Sequence, residues 1–115
     1  MRQHEGLTLE RWARFSAGQQ ILMIANELHR ARKLMDPDDA SRRRNSYERV
    51  LQLTDLTIAS QTRHSLRREL LRFRHLTAAL YLDPAPGVRE QADQLRALLL
   101  LTPESALQRE PLGLA

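Results

Sequence analysis

Apolar residues recur in this chain at alternating spacings of three and four, over four separate segments. This spacing places one buried stripe along an α-helix, and no segment shows the two-residue alternation of a half-buried strand. The pattern therefore predicts an all-α chain. The expected stripes are Ile21, Ile24, Leu28, Ala31 and Met35; Tyr47, Val50, Leu51, Leu53, Thr54 and Ile58; Leu66, Leu70, Phe73, Thr77 and Leu80; and Val88, Ala92, Leu95 and Leu99.

Capping residues indicate where the first two helices begin. Ser16 with Gln19 has the spacing of a capping box. The second helix has two candidate starts: the Asp-Pro-Asp-Asp segment 36–39, with an N-cap acid and a proline at the first helical position, and a second box at Asn45 with Glu48. We favour the earlier start.

The third helix is expected over residues 63–82, because a segment rich in proline and glycine follows it. The residues 102–103 (Thr-Pro) should end the fourth helix and cap a last short turn. Short connections make neighbouring helices antiparallel, so we predict an up-down bundle of three to four helices. Residues 1–115 should form a single domain, with 1–15 and 103–115 peripheral.

Composition excludes several classes of protein. The chain contains no cysteine, so disulfides and thiolate metal sites are excluded. Its longest apolar runs are five residues, far short of the roughly 20 that span a bilayer. The charged N-terminal segment does not resemble a secretory signal. We therefore expect a cytoplasmic protein without a membrane partner.

Acidic residues inside a helical bundle suggest a di-metal site, which requires Glu-x-x-His pairs on two helices. The sequence contains no such pair. We therefore expect neither a metal nor another cofactor.

A six-residue pattern, Glu-Leu-x-Arg-x-Arg, occurs twice, at 27–32 and at 69–74. In each copy the glutamate and the first arginine lie on one helical face, beside a leucine expected in the core. We interpret these residues as partly buried salt bridges that fix helix register, with Arg30, Arg72 and also Arg49 as candidate cations; the alternative is a charged cleft that receives a ligand or a partner residue. The predicted charge network comprises Glu27, Arg30, Glu48, Asp55, Glu69 and Arg72.

Positive charge is concentrated in the middle of the chain, where residues 30–74 hold twelve basic and six acidic side chains. The run Arg42, Arg43 and Arg44 lies near the start of the second helix, where an anionic ligand would offset the unfavourable dipole interaction. This run is a candidate anion site. A solvated basic face is the simpler interpretation, because no exposed aromatic residues are expected for nucleic-acid stacking.

Arg68 and His75 are separated by six residues on the expected third helix. This spacing resembles the Arg-x4-6-His motif of HEPN-type ribonucleases. The resemblance implies that histidine acts as acid or base and arginine holds the scissile phosphate. An exposed histidine on an arginine-rich helix is the alternative interpretation.

The order of three segments carries a second resemblance: residues 27–31, residues 47–57 (Tyr-Glu-Arg-Val-Leu-Gln-Leu-Thr-Asp-Leu-Thr) and residues 66–74. Over roughly residues 12–82 the chain resembles a family of small, helical, uncharacterised bacterial proteins. Their pattern is Glu-x-x-Arg-Ala, then Glu-Arg-Ala-Leu-Glu-Leu-x-Asp-Leu-Thr, then Glu-Ile-x-Arg-x-Arg. The resemblance implies a helical fold and a partner-binding role, and it transfers no catalytic residue. The chain departs from the pattern where the family has glutamate, at Gln52 and His75.

Together these patterns predict a non-catalytic helical interaction or accessory protein, whose partner is another protein or a second copy. The segment 98–101 contains four leucines that cannot all face one side of a helix, so self-association through the fourth helix would cover the one left outside. The alternative is an RNA-directed protein, either a basic-patch binder or a HEPN-like ribonuclease that uses Arg68 and His75.

Overall fold

The computed structural model describes residues 7–114. Within these residues the chain forms helices and no strand, as the apolar spacing predicts. The elements are α1 (Leu9–Trp12), α2 (Ala17–Lys33), α3 (Ala40–Ser60), α4 (His64–Leu82), α5 (Val88–Leu99) and α6 (Pro103–Ala106), with a 3-10 turn at Pro37–Asp39.

The four longer helices, α2 to α5, form the predicted up-down bundle. Helix α3 packs between α2 and α4, and α5 returns to pack on α2 and, less extensively, on α4. The connections at 34–39, 61–63 and 83–87 are short, so each helix runs antiparallel to the next. The weaker packing of α5 on α4 leaves a cleft between these two helices.

The caps explain where the helices begin. Ser16 and Gln19 exchange both hydrogen bonds of the capping box. The Asp36 carboxylate accepts from the Asp38 N–H over 2.9 Å and caps the 3-10 turn that leads into α3. The earlier start of the second helix is therefore confirmed, and the box at Asn45 is wrong because that residue lies inside α3.

The core is built from the predicted stripes, with one clear exception. Val88 is 67% exposed, so its predicted burial is wrong. It is the first residue of α5, and the buried part of that helix begins one turn later, at Gln91. Threonines replace apolar residues inside the core because Thr54 and Thr57 donate to backbone carbonyls four residues earlier.

Two residues of the segments expected to be peripheral lie in the core: Trp12 is 1% exposed and Leu114 is 3% exposed. The Trp12 Nε1–H donates to Thr57 Oγ1 over 2.9 Å, and its carbonyl accepts from Gln20 Nε2 over 2.9 Å. Because the buried indole N–H finds a partner on α3, α1 can close one end of the bundle. Helix α6 packs on α2 at the same end.

Candidate functional site

The first copy of the repeated pattern forms an internal charge network between α2 and α3. Arg49 Nε lies 3.0 Å from Glu27 Oε2, and the two side chains are 22% and 15% exposed. Arg30, the arginine of the same copy of the pattern, lies 3.7 Å from the same carboxylate and is mostly exposed. The principal cation therefore comes from the neighbouring helix. The sequence offers Arg49 as a further candidate cation, but the spacing within α2 does not indicate that Arg49 lies closer to Glu27 than Arg30 does.

The other two acids of the predicted network connect α3 to α4. Glu48 Oε2 accepts a 2.9 Å hydrogen bond from the Tyr81 hydroxyl. This hydrogen bond, aided by burial, raises the pKa of Tyr81. Asp55 and Arg74 form an ion pair at 2.5 Å in which both side chains are about half exposed. The hydrogen bond to Asp55 raises the pKa of Arg74. Both acids thus hold the α3–α4 packing, the second more weakly because water screens it.

The second copy of the pattern behaves differently. Glu69 and Arg72 are exposed, and no ion pair joins them, or involves either of them, among residues 7–114. The predicted Glu69–Arg72 salt bridge is therefore wrong for the part of the chain that the structure describes. Their helical spacing is the same as in the first copy, but within residues 7–114 no arginine of a neighbouring helix forms an ion pair with the Glu69 carboxylate.

Glu69 and Arg72 instead border the cleft between α4 and α5. The cleft has a volume of about 270 Å³. Its base includes the Gln94 amide, which donates to the Phe73 carbonyl over 3.2 Å and to Thr77 Oγ1 over 3.0 Å. These bonds satisfy the Gln94 amide N–H groups and leave a largely apolar wall. The lining residues are Glu69, Arg72, Phe73, Leu76, Gln94, Ala97 and Leu101.

An exposed leucine lies in the wall of this cleft: Leu76 is 43% exposed. Leu71 in α4 and Leu100, which follows α5, are each 51% exposed and lie outside the cleft lining. Leu98 and Leu99 are fully buried, so Leu100 lies outside the buried stripe, as the run of four leucines predicts. The α4–α5 face thus presents apolar surface beside charges that have no partner within the described residues.

A larger cleft of about 420 Å³ lies beside the first copy of the pattern, with Trp12, Met23 and Leu53 in its walls and Glu27 and Arg30 at its edge. Its carboxylate is already engaged by Arg49. The α4–α5 cleft is therefore the better candidate for binding, because its edge charges are available.

Helix α4 also carries a row of exposed arginines. Arg63, immediately before the helix, and Arg67, Arg68 and Arg72 within it make no ion pair in the part of the chain that the structure describes. Glu69 is the only acidic residue of the helix. This surface is therefore positively charged and open to an anionic partner.

Arg68 and His75, the residues of the HEPN-like hypothesis, are both exposed on α4. Their spacing of seven residues places them two turns apart on roughly the same side. Neither side chain makes a hydrogen bond or ion pair within residues 7–114.

The run at 42–44 does not form one anion site, because successive helical residues point in different directions. Arg42 pairs with Asp39 at 3.1 Å. Arg43 is 5% exposed and donates to the Leu34 carbonyl over 3.0 Å and the Pro84 carbonyl over 3.2 Å. Arg44 is exposed. The predicted set is therefore wrong as a unit, since Arg43 is a structural residue that joins two loops.

Within residues 7–114, no group of three or more His, Asp or Glu side chains is arranged to hold a metal ion. In the same residues, no helix combines the length and the apolar character needed to cross a membrane. No protein-family model, curated protein or solved structure matches the chain. The resemblance to a family of small bacterial proteins therefore stays a prediction.

Proposed function

We propose that this protein is a non-catalytic interaction module whose α4–α5 cleft receives an apolar side chain of a partner protein. The observation that carries the proposal is the contrast between the two copies of the repeated pattern. Glu27 is held by Arg49 inside the protein, whereas Glu69 and Arg72 stand unpaired, within the described residues, at the edge of an apolar cleft. Apolar surface flanked by charges is typical of a contact site for another protein.

The charge of α4 favours a partner that is acidic around its apolar anchor. An acidic side chain near Arg72, at the edge of the cleft, would gain a charge-assisted hydrogen bond. A second copy that docked α4 against α4 would instead bring two arginine-rich surfaces together, which like-charge repulsion disfavours. We therefore propose a different protein as the partner on this face.

The experiment is co-purification from the native organism with tagged wild-type protein and four variants. Leu76→Asp places a charge inside the cleft wall, and Arg72→Glu reverses a charge at its edge. The matched controls are Leu82→Asp and Arg68→Glu, which make the same changes on α4 away from the cleft lining. All four side chains are exposed, so circular dichroism should show unchanged helix content.

The proposal requires a stoichiometric protein partner that is lost from Leu76→Asp and weakened in Arg72→Glu, while the Leu82→Asp control retains it. Retention of the same partner by all variants would overturn the cleft as the site. Loss from Leu76→Asp and Leu82→Asp alike would indicate a general effect of added negative charge, and would also count against the cleft.

The exposed arginines of α4 that make no ion pair within residues 7–114 favour one alternative, an RNA-directed protein. In that case Arg63, Arg67 and Arg68 would contact phosphates, and binding would weaken steeply as salt concentration rises. The Arg68→Glu variant would lose the RNA, whereas Leu76→Asp would keep it. A HEPN-like ribonuclease would further require that Arg68→Ala and His75→Ala each abolish cleavage of single-stranded RNA.

A further inference from the structure

A second pocket lies on the other side of the bundle, between the end of α2 and the start of α3. Its volume is about 240 Å³. Half of its lining residues are arginines, and no carboxylate is among them. The lining residues are Arg30, Leu34, Arg42, Asn45, Ser46 and Arg49.

Carboxylates outside the lining hold these arginines in place. Glu27 lies 3.0 Å from Arg49 Nε and 3.7 Å from Arg30 Nη1. Asp39 lies 3.1 Å from Arg42 Nη1. Each guanidinium carries five N–H donors, so these contacts position the arginines and leave most of their donors available. A preorganised binding site requires supporting residues that hold the ligand-contacting side chains in the correct orientation.

Ser46 adds to this preorganisation. Its hydroxyl oxygen accepts from Arg49 Nη2 over 3.1 Å. Ser46 is fully buried and lines the pocket, so its hydroxyl fixes the Arg49 guanidinium at the base of the pocket. Arg30 and Arg42 are 62% and 73% exposed in their side chains, and they stand at the mouth.

A buried positive charge lies behind the pocket. Arg43 is 5% exposed and donates to two carbonyls, one of them that of Leu34 in the pocket wall. It has no carboxylate partner among residues 7–114. Since a buried guanidinium without a counter-ion favours negative charge nearby, Arg43 adds to the attraction of an anion. The four guanidiniums outnumber the two carboxylates, Glu27 and Asp39, that hold three of them.

We propose that this pocket binds the phosphoryl group of a small phosphorylated ligand, with Arg30, Arg42 and Arg49 as donors. The planar fork of a guanidinium matches two phosphate oxygens, and three such groups from two helices surround one anion. The site does not depend on the α4–α5 cleft, because no residue lines both. It also replaces the run at 42–44 as the place where an anion is held.

The test uses inorganic pyrophosphate as the probe, added to the full chain at about 0.15 M salt, where exposed charges are screened. Backbone amide NMR shifts should change in one cluster, around residues 30–34 and 42–49. Calorimetry should show one site per chain with a dissociation constant below about 1 mM. Arg42→Gln and Arg30→Gln should each weaken binding about tenfold, the effect of one lost charge-assisted hydrogen bond.

The matched control is Arg14→Gln, which removes an exposed arginine near the other end of α2 and should leave affinity unchanged. Equal weakening by all three variants, shifts centred on residues 63–72, or no saturable binding of pyrophosphate would each overturn the proposal. ADP distinguishes the sources of the phosphoryl group. Tighter binding than pyrophosphate indicates a nucleotide, and equal or weaker binding indicates recognition of the phosphoryl group alone.

Discussion

Arg49 Nε and Glu27 Oε2 lie 3.0 Å apart between α3 and α2, in a setting where less than a quarter of either side chain is exposed. Removal of this arginine leaves a partly buried carboxylate whose remaining cation, among residues 7–114, is Arg30 at 3.7 Å. Breaking this pair by removing one partner should therefore cost more than breaking an exposed ion pair does.

We expect Arg49→Met to lower the free energy of unfolding by about 1 to 3 kcal/mol, less than full burial would cause. Arg30→Met should cost only about 0 to 1 kcal/mol, because that side chain is mostly exposed. The double variant Glu27→Gln with Arg49→Met should recover much of the loss, since no charge is left unpaired. Urea denaturation measures all three, and equal losses in the two single variants would contradict the assignment.

Arg72→Ala and Glu69→Ala should each change the free energy of unfolding by less than about 0.5 kcal/mol, since both side chains are exposed and unpaired within the described residues. Urea denaturation measures the free energy of unfolding of both variants. A loss above about 1.5 kcal/mol in either variant would mean that a buried interaction exists there. The two variants also serve as folded proteins for binding measurements at the cleft.

Arg43→Met should destabilise the protein by about 1 to 3 kcal/mol, because the carbonyls of Leu34 and Pro84 lose a charged donor. The neighbouring exposed residue provides the control: Arg44→Met should lie within about 0.5 kcal/mol of wild type. Thermal unfolding followed by circular dichroism separates the two. Equal stability of both variants would show that the loop contacts of Arg43 add nothing.

Tyr47→Phe should cost about 1 to 2 kcal/mol, because the Gln91 carbonyl oxygen would lose its 2.5 Å hydrogen bond inside the core. Burial also raises the pKa of the Tyr47 phenol, so the hydroxyl stays protonated and able to donate when the solution is mildly alkaline. The partly exposed Tyr81→Phe is the control and should cost less. An unchanged urea midpoint for Tyr47→Phe would mean that water or another donor replaces the hydroxyl.

Stability should fall as pH decreases through the range in which His29 titrates. Burial, with repulsion from Lys33 and Arg32, lowers the pKa of His29 in the folded state. The unfolded chain therefore binds the proton more readily. The stability that neutral His29 contributes to the folded state is fully present above the unfolded-state pKa of about 6.5. It declines as the pH falls below that value.

His29→Asn should flatten the change in urea midpoint between about pH 7.5 and about pH 5.5. The exposed His64→Asn is the control and should follow the wild-type curve. If His29→Asn also follows that curve, the folded protein accommodates the charged imidazole without cost.

Most of the fold follows from the apolar spacing and the caps. Ile21, Ile24 and Leu28 are buried as their spacing predicts, and Ser16 starts α2 as its capping box predicts. Val88 shows the limit of this reasoning, because periodicity indicates which side of a helix faces the core but not how far along the helix the core extends.

The candidate sites were less predictable than the fold. The two glutamates of the repeated pattern both lie at the edges of clefts, but the same six-residue pattern had opposite outcomes in its two copies. Glu27 meets a cation from α3, whereas Glu69 meets none within residues 7–114. The pocket formed by Arg30, Arg42 and Arg49 was also missed, since its members are distributed over two helices.

The sequence by itself determined the helices, their buried faces and the residues that begin them, because these depend on the constant geometry of 3.6 residues per turn and on hydrogen bonds between near neighbours. Only the tertiary structure decided which charges meet. Whether a side chain on one helix contacts a partner on the next depends on how the two helices are rotated and shifted relative to each other. The packing of the whole core sets that arrangement. For that reason the main partner of Glu27 is Arg49, on the next helix, and not Arg30, which is nearer in sequence.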